Sequence, residues 1–305
     1  MTYSTGNIIT ASDFNAFAAS INAVWGVGTG DSGYGCSNTI SSVTASVNTV
    51  TATQWTSLLA RGNNAANHQK ASPTWSGGTS VTTGNTITSI TSLASDITDL
   101  GTNRLLTNPA GLTTSSGIIT GSGSGVWNSS SVFTYTVGFS DMDNARYFFN
   151  AGGKIQMSFS HSGGTGTKNS DWTSLCSACG TIVFAYNGTT KSGGSGSPTT
   201  LATSIGYYQL TTSNQTLFKQ FSANSPYTTN YIQIEVSSNS ITDTNGRGGK
   251  GSTLTFTVTF ADAYSDAATT PAGTFSCAVD RIAPNTVYLN NVPTATFTSV
   301  SFVQT

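Results

Sequence analysis

The chain has 305 residues and a net charge of -1, with 11 Lys and Arg against 12 Asp and Glu, and Glu235 is its single glutamate. An ordinary globular domain devotes about a quarter of its residues to charge, and this one devotes 8%. Such a surface draws neither a nucleic acid nor an anionic membrane, and no run of Lys and Arg provides a local exception.

No stretch approaches the roughly 18 apolar residues of a membrane helix. Met1 to Thr10 has neither a basic nor an apolar segment of the kind a signal peptide needs. The expectation is a protein made in a host cytoplasm and released by lysis, as virion parts are. The 33 glycines and three methionines favour strands and turns over helical bundles. Cys36, Cys176, Cys179 and Cys277 are too few and too scattered for a disulfide framework and are expected as free, buried thiols.

In chain order, Phe14, Phe17, Ala18, Ile21, Val24 and Trp25 recur at helical spacing. Thr10 or Ser12 is placed to cap that helix and Gly26 to end it in the left-handed conformation. The loop Gly28 to Gly35 follows, its glycines open to backbone angles other residues avoid. A second helix is expected to begin near Thr51 or Thr53, to carry Trp55, Leu58 and Leu59 on one face and to stop at Gly62. Two short helices make a module too small to cover its own apolar faces, so a partner is expected there.

Residues 71–85, rich in Ser, Thr and Gly around Pro73, read as a linker. Ile90, Leu93, Ala94, Ile97 and Leu100 then return to helical spacing, as a short trimerisation seam or a helix packed on its own domain. Beyond Gly111 the period changes to two, in Val132 to Phe139, Ile155 to Phe159, Thr181 to Tyr186, Tyr231 to Val236, Leu254 to Phe260 and Phe297 to Val303. Asn187-Gly188 and Asn245-Gly246 mark turns. The fold class expected is mainly β: an antiparallel β-sandwich over residues 111–305, with one short helix inserted at Asp171 to Cys179. A helical module over 1–72 and a linker with a short helix over 73–110 precede it.

Chemistry-bearing candidates are sparse. Cys176 and Cys179 form a lone CxxC, and the histidines His68 and His161 lie far apart, so no zinc set forms and no metal or cofactor is expected. The acids Asp96 and Asp99, Asp141 and Asp143, and Asp262 and Asp266 are spaced as pairs but read as turn and helix-surface residues, which argues against a glycosidase and against an enzyme of any kind. Gly28 to Gly30 follows a helix and not a strand, so it is a turn and no dinucleotide fingerprint. In the pairs Phe148-Phe149 and Tyr207-Tyr208 one ring of each is expected to face inward. Trp127, Tyr207, Tyr208 and Tyr227 are the candidate rings for contact with a host glycan.

Two sets of residues are more specific than composition. Asp13-Phe14-Asn15, Val24-Trp25-Gly26, Gly30 to Gly35, Gln54-Trp55 with Leu58, and His68-Gln69 form the first. Phe139-Ser140-Asp141 and Asn144 through Gly153 form the second. Together they resemble the N-terminal module and the β-rich body of virion structural proteins of tailed bacteriophages, notably cyanophages. One departure is Cys36, where the family places a glutamine, and a cross-link between chains in the assembled particle is one expectation for it. The resemblance implies a tail, neck or collar, or fibre component that binds other virion proteins and forms a homo-oligomer, a trimer above all. Its helical module would be the anchor, through Phe14, Phe17, Trp25, Tyr34 and Trp55. A host-glycan adhesin and a head decoration protein are the alternatives.

Overall fold

The computed structural model describes residues 10–44, 50–82, 90–243, 245–265 and 270–305. Three helices come first: α1 (Ala11–Trp25), α2 (Ala52–Gln69) and α3 (Ile90–Thr102). Thr10 accepts from the Asp13 amide while the Asp13 carboxylate accepts from the Thr10 amide, and Thr51 and Gln54 repeat the arrangement for α2. Each pair satisfies donors that a helix start leaves unbonded, which fixes both N-termini.

α1 ends at Gly26 as expected, but at φ -85° rather than in the left-handed region. α2 runs past Gly62 to Gln69. Gly62 has a packing role instead: a Cβ there would lie 2.1 Å from the Trp75 ring. The reading of 71–85 as a linker is corrected for its described part, because Trp75 packs on the helical core and its indole donates to Gly78 O at 2.7 Å. The apolar stripe of α3 is likewise spent within the chain. Leu93, Ile97 and Leu100 are buried with Phe14, Ile21, Leu58 and Leu59 in one core, so that stripe is not a free trimer seam. The side chain of Ile90 lies outside the described residues.

A 3-10 turn at Pro109–Gly111 leads into the strands β1 (Leu112–Ser124) and β2 (Ser130–Gly138), then α4 (Met142–Asn150) and β3 (Lys154–Ser162). After α5 (Thr167–Cys179) come β4 (Thr181–Phe184), β5 (Thr189–Ser192), β6 (Thr200–Leu201) and a 3-10 turn at Tyr207–Gln209. The chain closes with β7 (Gln215–Phe221), β8 (Tyr231–Ser238), β9 (Thr253–Ala261), β10 (Thr274–Pro284) and β11 (Thr296–Gln304). Two antiparallel sheets result, ordered β1-β10-β3-β4-β5 and β11-β2-β9-β8-β7-β6. The chain is mainly β, a two-sheet sandwich preceded by a helical unit.

Alternation explains the sandwich core. Phe133, Tyr135 and Val137 of β2, Ile155, Met157 and Phe159 of β3, and Leu254, Phe256, Val258 and Phe260 of β9 all face inward. α5 adds Trp172, Leu175, Cys176 and Cys179 to that core, and Trp172 packs its ring 5.4 Å from Trp127 and 5.3 Å from Phe275. The region read as a turn after Phe139 is the helix α4. The Asp141 carboxylate accepts from the Asn144 amide at 2.7 Å and starts it. In a helix adjacent positions lie about 100° apart and not on opposite faces, and Phe148 and Phe149 both enter the sandwich core, fully buried.

Candidate functional site: the joint between the helices and the sandwich

Part of the cover over the apolar faces of the helical unit comes from its own chain: Ala151 and Leu289 belong to the helical core. The polar centre of the contact is Arg146 on α4, fully buried. Its Nη1 donates to Ser32 O at 2.7 Å and Gly30 O at 3.0 Å, and its Nη2 donates to Val27 O at 2.7 Å. Nε and Nη2 both reach Asp143 Oδ1, at 3.2 and 3.1 Å. A guanidinium is suited to this, because its planar donors meet several fixed acceptors at once. Hydrogen bonds to a charged group contribute about 1.5–3 kcal/mol each, against the several kcal/mol of desolvation that a buried ion costs.

Asp143 is held in turn by Arg247 at 2.6 Å and by Asn245 Nδ2 at 2.8 Å, so the Asn245-Gly246 turn is tied into the joint. The Gly30 amide returns a bond to Arg247 O at 2.7 Å. Asn150 Nδ2 donates to Gly33 O at 3.1 Å and Gly30 O at 3.2 Å, and the Tyr208 hydroxyl contacts Gly30 O at 2.7 Å and Asn150 Oδ1 at 2.6 Å. The loop 28–35 is therefore a tight turn, as its glycines suggest, and also the element that the sandwich grips. At Gly35, φ is +72° and a Cβ would lie 2.2 Å from the Tyr147 ring. Only glycine lets the backbone lie flat against that ring.

Further hydrogen bonds tie the loop back to the helices. The Tyr34 hydroxyl donates to Arg104 O at 2.7 Å and accepts from Gln69 Nε2 at 2.9 Å. Arg104 pairs with Asp31 through Nη2, 2.8 Å from both carboxylate oxygens, and through Nε, 3.1 Å from Oδ1. His68 packs its ring 5.0 Å from that of Tyr34 and places Nε2 3.1 Å from Ala151 O. Since a carbonyl only accepts, that nitrogen carries the proton, and burial lowers the His68 pKa to about 4.

Each expected site residue now has a place. Phe14, Phe17, Trp25, Tyr34 and Trp55 are at most 5% exposed, so they form the interior of the helical unit and are not a surface that another protein could grasp. Trp55 packs edge-on against Phe14 at 5.4 Å, and the Trp25 indole donates to Ser37 O. Among the glycan candidates, Trp127 and Tyr207 are corrected: both lie inside the sandwich, at 2% and 0% exposure. The Tyr208 hydroxyl is engaged in the joint. Tyr227 is also buried, but it lines a cavity of about 210 Å³, and its hydroxyl lies 2.7 Å from that of Thr167.

All four cysteines are free and buried. Burial pushes the thiols of Cys179 and Cys277 up to about 12 and raises those of Cys36 and Cys176. Cys36, 3% exposed, is not placed for a cross-link between chains. Among the described residues no group of three His, Cys, Asp or Glu could hold a metal. Several of the acids have structural partners: Asp96 accepts from the Ser76 amide, Asp141 caps α4, and Asp262 pairs with Lys168 at 2.8 Å in the interior, while Asp99 is exposed on α3. Asp266 lies outside the described residues.

Sequence reasoning passed over Arg146, Asn150 and Arg247 as functional residues. The signal available was the two residue sets singled out in the sequence, parts of which meet at this joint: Gly30 to Gly35 and His68-Gln69 from one, Arg146 to Gly152 from the other. No protein-family model, no curated protein and no solved structure matches the chain.

Proposed function

We propose that this chain is a structural component of a tailed-phage virion, part of a tail, collar or fibre, that acts by holding and spacing its neighbours. The observation that carries the reading is the joint. A polar network centred on a fully buried arginine makes one body of the helical unit and the sandwich. Such a network resists relative motion of the two parts, which suits a strut better than an enzyme whose halves must open and close. Part of each residue set that resembles phage virion proteins meets at this joint, Gly30 to Gly35 from one and Arg146 to Asn150 from the other, which supports the reading. Low charge fits dense packing among chains that meet outside a cell.

The large aromatic residues of the helical unit are used inside it, so contacts with other virion proteins fall to its outer surface and to the sandwich. Mass spectrometry of purified particles tests the reading: the chain should be present at a fixed copy number. Particles of the parent phage that lack the chain would refute it. A number in the hundreds would favour head decoration over an appendage.

A further inference from the structure

A cavity of about 250 Å³ is bounded by α2, by Asn38 and by residues 286–290. Arg61 and Asn64 stand three apart on α2, on one face of the helix, and both line the cavity. No acidic side chain does, and among the described residues no acid pairs with Arg61. The cavity thus holds a positive charge that its own lining does not neutralise.

The guanidinium is held from one side. Nε donates to Asn38 O, Nη1 donates to Ser57 O at 3.1 Å, and Nη2 lies 3.3 Å from the Asn38 side-chain oxygen in the amide orientation that satisfies its neighbours. Each terminal nitrogen carries two N–H groups, so one on each is left over. With the Nε edge committed to Asn38, the fork that remains for a carboxylate is the end formed by Nη1 and Nη2. The Arg61 side chain is half-buried, and neither terminal nitrogen is among the unpaired atoms sealed in the interior. The Asn64 amide, also half-buried and not sealed, makes no hydrogen bond among the described residues. The opposite wall is fixed. Asn290 Nδ2 donates to Ser37 O at 3.2 Å, and the Tyr288 hydroxyl accepts from Asn108 Nδ2 at 3.4 Å. Thr286 is exposed at the rim.

We propose that this cavity binds one carboxylate-bearing sugar unit of a saccharide. Arg61 takes the carboxylate, and Asn64, Thr286 and Asn290 take ring hydroxyls beside Tyr288. A sugar is favoured over an acidic peptide because amide and hydroxyl side chains next to an aromatic ring match a small ring of hydroxyl groups. The volume suits a single ring, being below the roughly 300–1,000 Å³ that drug-sized ligands occupy. The site is independent of which virion component the chain forms.

The test uses the full chain labelled with nitrogen-15 and follows the Nε–H resonances of its arginines. Glucuronate, glucose, acetate and N-acetylglycylglycine are titrated in turn at neutral pH. The signal missing from Arg61→Lys should move saturably with glucuronate and respond more weakly to the other three. Asn64→Asp sets a carboxylate one turn from Arg61 and should weaken glucuronate binding about tenfold or more. If Arg61→Lys misfolds, Asn64→Asp identifies the same signal by displacing it in the ligand-free protein. No movement by about 50 mM glucuronate, where a millimolar site is near saturation, would overturn the site. Undiminished binding in Asn64→Asp would do the same. Glucose binding as tightly as glucuronate would overturn the role of Arg61, and acetate or the dipeptide doing so would overturn the sugar assignment.

Discussion

Replacing Arg146 by methionine keeps much of the side-chain length and removes every donor. Gly30 O would keep Asn150 and Tyr208 as partners, and Asp143 would keep Arg247 and Asn245. Val27 O and Ser32 O would lose the short bonds they receive from the guanidinium, and Gly28 O a longer one of 3.4 Å that is left out of the sum. A buried polar group stripped of its partner costs about 1–3 kcal/mol, so the two carbonyls together cost about 2–6 kcal/mol. The range measured for breaking a buried ion pair from one side, about 3–5 kcal/mol, gives an independent figure of similar size. About 4 kcal/mol is a large share of the 5–15 kcal/mol that holds a typical domain together. The loss falls on the contact between the two parts and not within either core. Urea unfolding followed by tryptophan fluorescence should therefore change from one transition to two, with the helical unit released first, and limited proteolysis should open a cut within residues 28–35. A variant within about 1 kcal/mol of the parent, with one transition and an unchanged digest, would refute the reasoning.

Gly35→Ala should destabilise by about 2 kcal/mol or more in thermal unfolding, since it combines a left-handed backbone with a Cβ 2.2 Å from the Tyr147 ring. A neutral result would mean that Tyr147 moves aside freely. His68 sets an acid limit. Its folded pKa is lowered to about 4 from 6.5, so the folded state binds fewer protons than the unfolded one. The stability it contributes is complete above pH 6.5 and is lost as pH falls from there to about 4, by about 3 kcal/mol at 1.36 kcal/mol per unit. Denaturant midpoints measured across that window should fall less steeply in His68→Gln. The four thiols, buried and raised in pKa, should be inert to a thiol reagent at pH 8 in the native protein, and all four should react in denaturant. Rapid native labelling of Cys36 would restore the cross-link that its burial argues against.

The strands with strict alternation, β2, β3, β8 and β9, were legible because one face of each meets the core and the other does not. β1 was not, since an edge strand of Ser, Thr and Gly with little buried surface carries no period. β10 was hidden because its alternating row Phe275, Cys277 and Val279 gives way to the charged Asp280 and Arg281. The aromatic residues of the N-terminal helices were legible as a set, but spacing alone does not tell an interface from an interior. The part missing from view was the cover. Ala151 and Leu289, distant in sequence, complete the helical core, so a module that looks too small alone is closed by its own chain. The joint was illegible for a related reason: Arg146 serves backbone carbonyls more than a hundred residues away, and carbonyls leave no mark in a sequence.

Amide hydrogen exchange in the glycine loop tests most directly the claim that the helices and the sandwich form one body. The Gly30 amide bonds to Arg247 O, and the Tyr34, Gly35 and Cys36 amides bond to Val24 O, Gly26 O and Trp25 O. The Gly30 bond alone crosses the joint, so if the joint is locked that amide should exchange as slowly as the three within the helical unit and at a rate close to the buried strands β2 and β9. Exchange as fast as in an open surface loop, with the strands still protected, would contradict the account.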